Sequence, residues 1–301
     1  MCRLITLALL VALPGLALAN ADGWIDLELR GGHLYIPSTV AGIPGRTMID
    51  TGAQINALNQ HFVKAHDLQL HRTGKMKITG VFRTQERPVY SDVPVNLFGA
   101  DMEFRDIVEI DLGAPERQLL LGAGFLHLYI FQFDYPNRRM RALSRDAVDL
   151  KKLSNVESKR DAGGGSPLVR VNLNGEQKVW LVMDTGSSGG IHLERRFALK
   201  HNWLDRFGAS DAVSKGANAS ARTERFNLPE MTIGPFELGS PIVTVPAEGE
   251  DMAMFQRRSR TGTHMRKRRG SAQGLLGYDI LKHFVVTVDY KRGHVHLGVP
   301  E

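Results

Sequence analysis

The amino-acid sequence predicts an all-β protein of two homologous β-rich lobes with a cleft between them. Three observations lead there. An apolar run ending in Asp-Thr-Gly occurs twice, as TMIDTGAQIN at 47–56 and LVMDTGSSGG at 181–190. The segments flanking each copy repeat in the same order. Both halves consist of short alternating runs bounded by turn residues, the pattern of strands rather than of long helices. One Asp-Thr-Gly is expected by chance in roughly one chain of this length in fifteen, so two copies in matched surroundings mark an internal repeat.

The elements follow in chain order. MCRLITLALLVALPGLALANA has a basic start at Arg3, an apolar stretch from Leu4 to Leu18 and small residues at Ala17, Ala19 and Ala21. That is the layout of a secretory signal peptide over residues 1–21, so the mature chain is expected in the periplasm or outside the cell. The stretch is short and broken by Pro14 and Gly15, which argues against a membrane anchor, and no later segment is apolar enough to span a bilayer. The single cysteine, Cys2, leaves with this segment. A mature chain without thiols excludes disulfides, thiol catalysis and cysteine–metal sites.

The first lobe is expected over 22–145. HLYIPSTVAGIPGRTMI, ahead of Asp50, reads as strand, glycine turn, strand. Behind Asp50, Leu58, Phe62 and His66 have the spacing of one helix face. The second lobe, 166–301, repeats this: LVRVNLNGEQKVWLVM, with a hairpin signal at Asn174-Gly175, then Asp184, then Leu193, Phe197 and His201. Further on, QLLLGAGFL (118–126) matches QGLLGYDIL (273–281), and FQFDYPNRRMRAL (131–143) matches VVTVDYKRGHVHL (285–297). The spacing from Gly122 to Asp134 and from Gly277 to Asp289 is 12 residues in both. Residues 146–165, charged and running into Gly-Gly-Gly-Ser-Pro at 163–167, read as a linker.

A carboxylate at the end of a buried strand is costly unless something compensates for it. Asp-Thr-Gly after an apolar strand, followed later by two aliphatics and a glycine, resembles an aspartic protease of the pepsin and retropepsin group. The resemblance covers nearly the whole mature chain, and each lobe looks like one retropepsin subunit, as in the bacterial retropepsin-like members. It implies an acid-protease fold and a cleft holding a protein or peptide substrate. Asp50 and Asp184 would be the catalytic pair, activating water by general acid–base chemistry with no cofactor and no metal. Two further readings stay open: a peptide- or partner-binding protein on this fold that does not cut, and a latent protease activated by cleavage.

The resemblance also assigns the neighbours. Thr51 and Thr185 would bond across the lobe junction, while Gly52 and Gly186 would let backbone approach the carboxylates and supply N–H donors. Ala53 and Ser187 differ between the copies. A hydroxyl at that position favours the charged form of its carboxylate, so Asp184 is expected to ionise before Asp50, with a mildly acidic activity optimum. GKMKITGVFRTQ (74–85) reads as a hairpin placed as a flap, with Gly80 and Phe82 near its tip. VSKGANASARTE (213–224), with Gly216, is its counterpart.

The lobes differ in length. From the aspartate to the later glycine is 72 residues in the first and 93 in the second. The excess falls on a basic insertion at about 248–273, where seven of the thirteen residues from Arg257 to Arg269 are Arg or Lys. Such runs are usually solvated. The other readings are a docking surface for an acidic or anionic envelope partner and a site of proteolytic nicking. Nucleic acid is not expected, because no aromatics interleave with the basic residues. Of the histidines, His66, His192 and His201 read as structural.

Overall fold

The computed structural model describes residues 23–161, 165–216, 219–252 and 272–300. The signal-peptide reading of 1–21 and the basic run Arg257–Arg269 therefore lie outside the described residues. No helix among the described residues is long and apolar enough to cross a membrane.

The protein is mostly β, with two large sheets of the same topology. In the first lobe the path runs His71–Thr79, Thr84–Ser91, Ile107–Ile110, Ala57–Asn59, Arg117–Leu121, Ile43–Ile49, His33–Val40, Val93–Leu97, Ala100–Phe104. In the second it runs Ser210–Lys215, Ser220–Asn227, Ile242–Pro246, Ile191–Leu193, Gly274–Leu276, Gln177–Met183, Pro167–Leu173, Glu230–Ile233, Phe236–Gly239. The order is the same strand for strand. In both, the strand leading to Asp-Thr-Gly lies parallel to the later Leu-Leu strand. Being inside the sheet, it is flanked on both sides, which is why its sequence is an apolar run rather than an alternation.

The turns explain the sequence signals. Asn174 and Gly175 sit at φ 54° and 66°, and Ala41 and Gly42 at φ 50° and 79°. Two successive left-handed residues suit a hairpin whose turn follows the twist of its strands, and Asn-Gly adopts them readily. Ala41 does so at a steric cost of about 1–2 kcal/mol. The short helices fall at Gln60–Ala65 and Arg195–Lys200, burying Phe62 and Ala198 respectively.

A third sheet joins the lobes. Its order is Ile25–Asp26, Arg139–Leu143, Ile130–Asp134, Val285–Asp289, His294–Gly298. The antiparallel pair at its centre is symmetric about Gln132 and Thr287, whose side chains hydrogen-bond at 2.9 Å. The matched aspartates found by spacing close the hairpins of this sheet. Asp134 accepts from the Asn137 amide at 3.1 Å, and Asp289 from the Lys291 and Arg292 amides at 3.1 and 3.2 Å. Phe131, Phe133, Val286 and Val288 carry one apolar core continuously from lobe to lobe.

The segment 146–165 corrects the linker reading. Ser158–Arg160 pairs with Pro167–Val169 in the second lobe's sheet, as Glu28–Arg30 pairs with His33–Tyr35 in the first. Leu150 and Val156 are buried, and Asn155 bonds both ways to Leu297. A polar composition is compatible with an edge strand, and residues 162–164 lie outside the described residues.

Replacing Ala41 by Asn gives the first lobe's turn the chemistry of the second. Ala41→Asn is expected to stabilise the protein by about 0.5–1 kcal/mol in urea unfolding, and an unchanged or lower midpoint would refute the strain at Ala41.

Candidate active site

Each Asp-Thr-Gly leaves its strand beneath the neighbouring Leu-Leu strand. The amides of Asp50 and Asp184 donate to the carbonyls of Leu121 and Leu276, both at 2.9 Å, so the aspartates are the last residues held by the ladder. Gly122 and Gly277 lie directly against the loops. A Cβ at Gly122 would fall 2.3 Å from the Ile55 carbonyl oxygen, and one at Gly277 would fall 2.6 Å from that of Ser187. This close packing accounts for the glycine that ends each Leu-Leu-Gly.

The loops then cross. The Thr51 hydroxyl donates to the Met183 carbonyl at 2.6 Å and accepts from the Thr185 amide at 3.0 Å. The Thr185 hydroxyl donates to the Ile49 carbonyl at 2.9 Å and accepts from the Thr51 amide at 3.0 Å. Both threonines are buried, and four hydrogen bonds between lobes satisfy them.

The glycines close the arrangement. A Cβ at Gly52 would lie 2.5 Å from the Asp184 carboxyl carbon, and one at Gly186 would lie 2.3 Å from that of Asp50. Each loop thus seats its glycine against the other lobe's carboxylate. The Gly52 and Gly186 amides also donate to their own aspartates, each at 2.8 Å. The two carboxyl groups are within hydrogen-bonding reach of one another.

Their environments differ, and not in the way Ser187 suggests. Burial pushes both carboxyls above the usual carboxylate range. Asp184, 8 % exposed, is pushed further because the Asp50 charge opposes a second one beside it. Asp50 is held back first by the hydrogen bond to the Asp184 carboxyl and then by the Ala53 amide at 2.9 Å and the Gly52 amide at 2.8 Å, both reaching its Oδ1. In the second loop the Ser187 amide donates instead to the Asp184 backbone carbonyl, at 3.2 Å. The Ser187 hydroxyl is turned toward Gly277 and makes no hydrogen bond to Asp184 among the described residues. The loop amides thus favour the charged form at Asp50, where the sequence reading places a favouring hydroxyl at Asp184.

Three supporting residues escape the motif reading. His33 begins a strand beside the loops, close enough to Asp50 to feel its charge. Ser166 stands at the matching place in the second lobe, its hydroxyl 3.2 Å from that of Tyr290. The Tyr290 hydroxyl also lies 3.0 Å from the Thr51 carbonyl and 3.3 Å from that of Ala53, backing the first loop from the opposite lobe. The repeated Asp-Tyr of 134–135 and 289–290 was the signal for it. Its counterpart Tyr135 behaves differently: the ring packs 6.1 Å from Tyr278, and the buried hydroxyl has no partner among the described residues.

The candidate flaps meet. In the first lobe the hairpin turns through Gly80, whose amide bonds the Arg83 carbonyl at 2.9 Å. In the second, Gly216 bonds Ala219 at 2.8 Å. A Cβ at Gly216 would stand 3.2 Å from the Phe82 ring and 3.4 Å from Val81. Val81 also packs against the second lobe's cluster of Leu168, Val182, Met252, Ala272 and Leu275, so the first hairpin reaches across the junction. Among the described residues no group of three or more His, Cys, Asp or Glu could hold a metal ion.

Compared with known proteins, residues 169–280 match the sequence model of the aspartyl protease family. The matched span runs from within Pro167–Leu173, the first strand of the hairpin ahead of Asp184, into the short helix after Gly277. No curated protein matches the chain. The match and the all-β architecture support an aspartyl protease family, and a protease domain implies protein or peptide substrates.

Two outcomes follow from this geometry. Thr51→Val strands the buried Met183 carbonyl and Thr185 amide and should cost about 2–5 kcal/mol in urea unfolding, whereas Thr51→Ser should cost far less. A carboxyl whose folded pKa is raised contributes stability that is full below its unfolded pKa and is lost as pH rises through the folded one. Asp184→Asn should therefore melt above the parent at pH 7, by a few degrees for roughly 1–2 kcal/mol, with the difference shrinking toward pH 4.

Proposed function

We propose that this protein is an exported aspartic endopeptidase that hydrolyses peptide bonds with water activated between Asp50 and Asp184. The observation that carries the reading is the pair itself. A half-buried and a buried carboxyl, from equivalent loops of two lobes, face one another with unequal surroundings. Burying and apposing two acids is unfavourable for the fold, and such groups concentrate where acid–base chemistry is done. Export to the periplasm or beyond rests on residues 1–21 alone.

In this reading the pair works with one shared proton. Ionised Asp50 takes a proton from water as its oxygen attacks the peptide carbonyl carbon. Protonated Asp184 gives its proton to the carbonyl oxygen, forming a gem-diol with no covalent enzyme intermediate. Asp50 then passes its proton to the departing nitrogen while Asp184 recovers one from a diol hydroxyl. The C–N bond breaks and the pair is reset. The paired hairpin tips supply a cover that excludes solvent, with Gly80, Phe82 and Gly216 as its substrate-facing residues.

The test is cleavage of a mixed peptide library from pH 3 to 8 by the chain without residues 1–21. Activity should peak under mildly acidic conditions, where one proton is shared, and fall as pH rises through the raised Asp184 pKa. Asp50→Asn and Asp184→Asn should each reduce kcat by at least ~10³-fold. A sharp optimum at about pH 2, or cutting that survives either substitution, would sink the reading.

A further inference from the structure

The common plan of the lobes lets equivalent positions be read from strand register. Ala57 pairs with Leu120 and Val108 in the first lobe, and His192 with Leu275 and Thr244 in the second. His192 thus stands where the first lobe has Ala57, and Thr244 where it has Val108. By the same register Arg225, paired with Thr244, replaces Val89, paired with Val108. Ser214 and Ile78 both lie two residues before the tip glycine of their hairpin. On one face of the sheet, four apolar or small residues of the first lobe become polar in the second.

That face adjoins the aspartates. In the first lobe it is a continuous apolar cluster that includes Met48, two residues before Asp50, with Val89, Val108 and Leu120. In the second, Leu168, Val182 and Leu275 remain apolar, but they are packed by Met252 and Ala272 and by Val81 from the opposite hairpin. The buried members of both clusters are at most 8 % exposed, so the two walls differ where the second lobe carries its polar replacements.

His192 is the conspicuous member. Its neighbours Ile191 and Leu193 point into the main core, which turns the imidazole to the opposite, cleft-side face. A Cβ at Gly189, in the loop after Asp184, would lie 3.1 Å from its Nε2. Its ring nitrogens make no hydrogen bond among the described residues, so it is not the satisfied structural histidine expected from sequence. Burial pushes its pKa down to about 4, which leaves a neutral ring with one donor and one acceptor across most of the pH range. The half-buried ring thus keeps a donor and an acceptor that no described protein group takes up, open to a ligand on the cleft side.

We propose that the cleft is chemically two-sided: the first lobe's wall takes an apolar side chain, and the second lobe's wall takes an uncharged polar one, hydrogen-bonded by His192 with Thr244 beside it. His192 is then the specificity-determining residue. This rests on the reading that peptides lie across the Asp50–Asp184 pair.

The test measures binding rather than turnover. Synthetic octapeptides with a central Leu-Gln or Leu-Asn, in both orders, are compared with Leu-Leu peptides on the full-length Asp50→Asn chain by calorimetry. The expected result is roughly tenfold tighter binding of the apolar–polar peptides. His192→Ala in the same background should abolish that preference, while His192→Gln, which still donates and accepts, should keep most of it. Thr244→Val should weaken it without lowering the melting temperature, separating recognition from folding. Equal or tighter binding of Leu-Leu peptides, an unchanged preference in His192→Ala, or no binding of any peptide overturns the proposal. Cleavage of the same peptides by the parent is scored separately: selective binding without cleavage upholds this proposal and sinks the catalytic reading, whereas cleavage without selectivity does the reverse.

Discussion

The hydrogen bonds exchanged by Thr51 and Thr185 are the constraint from which the centre of the molecule follows. Each hydroxyl donates to a carbonyl and accepts from an amide of the other lobe, so neither loop can shift without unpairing a buried group of its partner. Because the threonines cross, the glycines that follow must pass within van der Waals contact of the opposite carboxylate, where even a methyl group has no room. Because the glycines pass there, the carboxylates meet. The distance between the acids is thus set by backbone packing rather than by any attraction between them, which suits two groups that repel when charged.

Near-symmetry with one local break is what makes the acids unequal. The Ala53 amide reaches the Asp50 carboxylate, while the Ser187 amide turns to a backbone carbonyl. The redirected amide leaves Asp50 with one more donor from its own loop, and His33 and Tyr290 add to the difference on the first lobe's side. The same logic extends outward with less restraint. The loops at the junction cannot diverge independently, whereas the walls flanking them have diverged from Val108 to Thr244 and from Ala57 to His192.

Much of this was legible in the sequence because it is local. The Asp-Thr-Gly copies, the glycine-bearing hairpins and the Gly-to-Asp spacing each depend on a few adjacent residues. The helices are shorter than the i, i+4, i+8 spacing predicts, because Leu58 and Leu193 belong to the preceding strands and His66 and His201 cap the helix ends. What was not legible depends on partners far along the chain. Tyr290 supports a loop 239 residues away. Ser158–Arg160 reads as linker by composition, since nothing local says that its backbone will find Pro167–Val169. The Ser187 hydroxyl was read as a donor from its residue type, but its direction is set by packing on Gly277. His192 falls in the same class: its identity is plain, and the lack of a partner for it is visible only in three dimensions.

The sheet that joins the lobes bears on how the chain comes to be built. Ile130–Asp134 is flanked on one side by its own hairpin partner and on the other by Val285–Asp289, from the far end of the polypeptide. As the chain emerges from the ribosome, the first lobe can complete its other strand pairings while this edge still waits for residues that have not been translated. For that interval it presents Phe131 and Phe133 beside unpaired backbone groups, an invitation to any other extended chain. The basic residues around it, Arg138, Arg139 and Arg141, put like charges on neighbouring copies of that edge, and so favour the late strand of the same molecule over an early strand of another.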